Sequence, residues 1–179
     1  MEVTTRKEYY KLEAELREMG FKQPLSQDAP ICRWFSEDVI IDIMPVGEAI
    51  FGFSNPWYKP GFSHPIQKNL PDGKKIDVFS EPYLLASKIV AFEERGKEDF
   101  WGSVDFEDIV RILDGCTTLE RTIEKGSSEV QQYLKDWFLK FINRSRALEY
   151  IVAQLPRGSG GMERGQWIIE RIHSLCDIE

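Results

Sequence analysis

At Pro82 the apolar residues change their spacing, and this switch constrains the fold more than any other feature of the 179-residue chain. Upstream, ICRWF (31–35) and VIIDIM (39–44) are runs of β-branched and aromatic residues separated by a short Ser36-Glu37 turn, the pattern of a β-hairpin. LPDGKKIDVFS adds a tight Asp72-Gly73 turn and a strand over about 75–79. Downstream, YLLASKIVAFEERG places Leu85, Ile89 and Phe92 on one helical stripe that ends at Gly96. SVDFEDIVRILDG is a second helix, with Ser103 as N-cap, acids in its first turn and Gly115 at its close. Residues 127–142, 143–155 and 161–175 continue the helical spacing. The chain therefore reads as α+β, with a mixed lobe over 1–80 and a helical lobe over 81–179.

A helix over residues 5 to 19 precedes the strands: Tyr9, Leu12 and Leu16 recur every three or four residues, and Gly20 stops it. IFGFSNPWYKPGFSHP cannot be one regular element, because Pro56, Pro60 and Pro65 interrupt any ladder or helix. PRGSGGMERG (156–165) lacks the GK[ST] ending of a phosphate-cradling loop and follows no strand, so it reads as a flexible helix–helix linker.

Composition excludes several classes. The 42% hydrophobic content is that of a folded protein. A net charge of −7 argues against broad binding to a nucleic-acid backbone, though not against a small cationic pocket for a nucleotide. No apolar run has the length of a membrane span, and MEVTTRKEYY is not a secretory signal. Cys32, Cys116 and Cys176 are odd in number and widely spaced, with only His64 and His173 to assist. This points to reduced thiols in a cytoplasm, with Cys32 and Cys116 as small core residues.

Four residues could carry chemistry. Asp42 sits among Ile40, Ile41, Ile43 and Met44, so both strand faces around it are apolar. It is either an exposed edge residue or an acid that must be paired or metal-bound. Lys88 has Leu84, Leu85, Ala91 and Phe92 as its helical neighbours. It either snorkels to solvent or meets an acid from elsewhere, and an ammonium so placed suits a phosphate. Asp105 and Asp108 lie one turn apart on one helix face. Asp105 also suits the helix N-terminus, and Asp108 could pair with Arg111 three residues on.

Taken in order, VIIDIMP, FGFSNPWY, SEPYLLASKIVAFEERG and DFWGSVDFEDIVRILDG resemble the nucleotidyltransferase-like proteins of the AbiEii toxin family, over roughly residues 1 to 115. The resemblance implies a nucleotidyltransferase-like mixed sheet, here N-terminally incomplete, bearing metal-binding carboxylates; the C-terminal helical bundle that follows matches only in general helical character. It makes Asp42 the third, strand-borne carboxylate and metal ligand, and Lys88 the helical lysine that contacts nucleotide phosphates. Asp105 or Asp108 becomes the later acid. It also implies Mg2+, a nucleoside triphosphate and an RNA or protein acceptor, with two-metal chemistry polarising the phosphate and activating the attacking hydroxyl.

The family's Gly-Gly or Gly-Ser turn and Asp-x-Asp pair do not occur before Asp42. The chain thus resembles a member lacking its first lobe segment, and efficient nucleotidyl transfer is not expected of it. An uncovered sheet edge then favours pairing with another copy or with an antitoxin partner. The alternative to the enzyme reading is a catalytically dead interaction module of a toxin–antitoxin or phage-defence system. A small interaction protein with no nucleotide site is a third.

Overall fold

Thr5 begins the first helix, α1 (Arg6–Glu18), through a capping box: its hydroxyl accepts from the Glu8 amide at 3.2 Å, and the Glu8 carboxylate accepts from the Thr5 amide at 3.0 Å. Gly20 follows with φ of 88°, a left-handed conformation that glycine adopts without strain. The structure, a computed structural model, describes residues 5–26, 29–37, 39–44, 54–156, 158 and 160–177. It falls into two units, Met1–Asn55 and Pro56–Glu179.

In the first unit β1 (Arg33–Ser36) and β2 (Val39–Asp42) form the expected antiparallel hairpin. Glu37 takes a positive φ of 50° in its turn, and Lys22 bridges to Phe35 on the other side of β1. Tyr9, Leu16 and Trp34 are buried, with the Arg17 guanidinium 5.2 Å from the Trp34 ring centre. The β2 side chains differ from expectation. Val39 and Ile40 are exposed, so the apolar run here does not mark a buried strand.

The second unit opens with α2 (Tyr58–Ser63), inside the stretch crowded with prolines. Pro60 is tolerated there because it stands in the first turn, where its missing N–H has no intrahelical partner to lose. A second hairpin follows, β3 (Pro65–Asn69) with β4 (Lys75–Phe79), turning at Gly73 with φ of 83°. β4 and the turn match the expectation, whereas β3 has no sequence signal, because PIQKN is mostly polar and carries no apolar alternation.

The remaining elements are helical: α3 (Glu81–Glu94), α4 (Val104–Gly115), α5 (Leu119–Glu124), α6 (Ser128–Ile142), α7 (Ala147–Gln154) and α8 (Gly161–Cys176). Pro82 occupies the first turn of α3, and Ser103 and Ser127 accept from the amides of Phe106 and Val130 at the starts of α4 and α6. Between them lies one apolar core, centred on α3. Phe92, Phe100, Phe106, Trp137 and Phe141 pack ring against ring there, with centroids 4.8–6.4 Å apart. Each fully buried phenylalanine contributes about 2–3 kcal/mol by leaving water.

The architecture is mixed α+β, as read from the sequence, but two details differ. Among the described residues the strands pair as two separate two-stranded antiparallel sheets, not as one mixed sheet. The division between units lies at Asn55/Pro56, not at residue 80, so the second hairpin groups with the helices. The three cysteines are free thiols. Cys176 is the buried one, while Cys32 and Cys116 are only half-buried. Among the described residues no helix is long and apolar enough to cross a membrane.

Candidate functional site

Lys88 lies past the middle of α3, and on its own helix it has no acid within reach. The partner comes from α4, whose first turns run beside it. The Lys88 ammonium donates to Asp108 Oδ2 at 2.6 Å and stands 3.7 Å from Asp105 Oδ1. Of the two choices the sequence left for this lysine, the structure selects the distant acid. Asp105 and Asp108 share a helix face as their spacing implies, and that face is turned to α3.

Two arginines complete the cluster, and only one of them, Arg111, shows in the sequence as a neighbour of these acids. Arg95, just past the last turn of α3, grips Asp105 with parallel hydrogen bonds of 2.7 Å from Nε and Nη2. Arg111 donates to Glu107 at 2.6 Å and lies 3.9 Å from Asp108. Arg111 was legible as an i+3 neighbour of Asp108. Arg95 carried no local signal, because its partner sits ten residues away across a loop.

Electrostatics follow from this geometry. Asp105 is a buried acid, and the two hydrogen bonds from Arg95 hold its carboxyl below the usual aspartate range, with the nearby Lys88 charge adding to the effect and burial opposing it. Lys88, Arg95 and Arg111 are balanced by Asp105, Glu107 and Asp108, so the cluster is internally neutral. Beside it runs an open groove of about 500 Å³, edged by Lys88, Asp108 and Arg111 and walled by Leu84, Ile112 and Cys116.

Asp42 belongs to the first unit, and its partner is Arg33. The hairpin register sets the two residues opposite each other, and Arg33 Nε and Nη2 each donate to a different Asp42 oxygen at 2.8 Å. This resolves the choice left open for Asp42: it is a half-exposed, paired cross-strand acid. Both of its oxygens are thus engaged by a guanidinium. Among the described residues no three His, Cys, Asp or Glu side chains come together so as to hold a metal ion. Within the second unit the structure thus brings together Lys88, Asp105 and Asp108, and within the first it pairs Asp42 with Arg33.

Compared with models of known protein families, with curated proteins and with solved structures, the chain matches none.

Proposed function

We propose that this chain is a nucleotidyltransferase-like protein by lineage that works as an interaction module, in a toxin–antitoxin or phage-defence setting, and does not itself transfer nucleotidyl groups. On this reading its hairpins correspond to strands of the family's mixed sheet, and α3 and α4 carry the family's helical lysine and later acid. One observation carries it. Lys88, the residue that the AbiEii resemblance makes a phosphate ligand, already has its ammonium 2.6 Å from one carboxylate and 3.7 Å from a second. A phosphate arriving there has to displace Asp108 and then sit beside its negative charge, which costs more than an open lysine gains.

The test is calorimetric titration of the chain with ATP, GTP, CTP and UTP in the presence of magnesium. The expected result is no binding heat. Micromolar binding that Lys88→Ala weakens overturns the proposal, as does transfer of nucleotide label to RNA or protein that Asp42→Ala abolishes.

A second reading is favoured by the groove beside Lys88. Its two cations, Lys88 and Arg111, stand at the edge of an apolar wall formed by Leu84 and Ile112. That combination suits a phosphate at one end and a base at the other. Nucleotide binding weakened by both Lys88→Ala and Arg111→Ala, without any label transfer, selects a nucleotide-binding regulator instead.

A further inference from the structure

α7 packs against α8 at Gly165. A Cβ built at that position lies 2.6 Å from Val152 Cγ2 and 3.0 Å from Leu148 Cδ1, so only glycine admits the crossing without movement. With Gly165, Ile168, Ile172 and Leu175 turned inward and buried, α8 leaves another face outward. That outer face is not polar throughout. Met162 is 61% exposed and Trp167 47% exposed, and together with Leu148 they line an open groove of about 460 Å³.

The charges on this groove are of one sign. Glu163 and Glu170 line it, Gln166 is the remaining lining residue, and neither glutamate makes an ion pair among the described residues. Arg171 sits 5.2 Å from the Trp167 ring centre but is committed to Glu120 and to two backbone carbonyls. Tryptophan is the side chain most often found as an anchor in protein interfaces, and methionine adapts its shape to what it meets. Glu163 and Glu170 are seven residues apart, which is about 10 Å along the helix axis.

We infer that the α7–α8 groove is a docking site for a basic amphipathic helix of a partner protein. Apolar residues of that helix enter between Leu148, Met162 and Trp167, and lysines or arginines two turns apart reach Glu163 and Glu170. A second copy of this chain is the poorer occupant. A twofold pairing on this face would set Glu163 and Glu170 against their equivalents, in a protein already carrying a net charge of −7. The inference rests on reading the chain as a binding module, and it adds the chemistry of the partner.

The experiment titrates the full chain with a synthetic amphipathic helix built of leucine and lysine, and with a counterpart in which glutamate replaces lysine. The lysine peptide is expected to bind and the glutamate peptide not to. Trp167→Ala and Glu170→Lys should each weaken the lysine peptide about tenfold or more. Asp77→Lys, an equal charge reversal on the β3–β4 hairpin, should change it less than about twofold.

Absence of binding, equal binding of both peptides, or equal loss in Asp77→Lys and Glu170→Lys overturns the inference. So does a stable dimer that Trp167→Ala converts to monomer, which assigns the face to a second copy. Failure here with no nucleotide transfer removes this face alone. Nucleotide transfer removes the module reading whatever the peptide does.

Discussion

Arg95 and Asp105 meet through two parallel hydrogen bonds of 2.7 Å and so tie the end of α3 to the first turn of α4. The burial is lopsided: the Asp105 side chain is 7% exposed and that of Arg95 68%. The acid is therefore the member whose loss matters. Removing it also leaves Lys88 with Asp108 alone. Asp105→Ala is expected to destabilise the fold by about 2 kcal/mol, below the range for fully buried pairs because Arg95 can turn to water. Arg95→Ala should cost about 1 kcal/mol or less, since Lys88 still faces Asp105. Urea denaturation of both variants measures the difference.

Acid sensitivity should follow from the same carboxylate. The Asp105 carboxyl lies below the ordinary aspartate value of 3.8, chiefly because it accepts from Arg95. Between that ordinary value and the lower folded one, the unfolded chain binds more protons than the folded chain. Stability from this group is thus fully present above 3.8 and is lost as pH falls through the folded value. Glu120, held down by Arg171, acts in the same sense below its ordinary value of 4.5. Stability measured against pH should show a shallower acid decline in Asp105→Asn than in the unchanged chain. Parallel curves for the two would count against this account.

Arg171 is a buried cation with a structural task. Its guanidinium donates to the backbone carbonyls of Leu113 and Cys116 at the end of α4, and to both oxygens of Glu120 on α5. Carbonyls at a helix end have no intrahelical donor, and here a side chain from α8 supplies it. Arg171→Ala should cost about 3–4 kcal/mol by leaving these acceptors and Glu120 without their partner. Arg171→Lys should recover little, since an ammonium cannot present the planar fork. Thermal unfolding of both variants, with circular dichroism as the readout, makes the comparison.

Gly165→Ala sets two effects against each other. Alanine favours an α-helix over glycine by about 1 kcal/mol. The added methyl, however, meets Val152 at 2.6 Å and Leu148 at 3.0 Å, and overpacking of this kind costs about 1–3 kcal/mol. Valine is stiff at χ1 and cannot turn away freely, so the clash wins and α7 must move. A net loss of about 1 kcal/mol is expected in chemical denaturation. A stabilised variant would show that α7 yields without strain.

Several elements were legible because their causes are local. The Asp72-Gly73 turn and the Ser103 N-cap each depend on residues within a few positions of one another, and so do the Thr5–Glu8 capping box and the Ser127 N-cap that the structure adds. Strand β3 was hidden because an exposed hairpin strand needs no apolar alternation. The glycine-rich 156–165 stretch, expected as a linker overlapping a helix over 161–175, divides at Gly160. Gly160 has a positive φ of 94° and begins α8, whereas Gly165 is helical and makes room for α7.

The sequence by itself determined the α+β composition, the order and approximate limits of most helices, and the presence of a lysine with no acid beside it on its own helix. Periodicity and capping are short-range effects, so they are written into neighbouring residues. Only the tertiary structure decided that Lys88 meets Asp108 and Asp105, that Arg95 completes the set, and that Arg171 closes the end of α4. Those pairings depend on how helices cross and rotate against a shared core. Asp42 shows the boundary between the two. Its type and setting were plain in the chain, but only the hairpin register put Arg33 opposite it and made the two an ion pair.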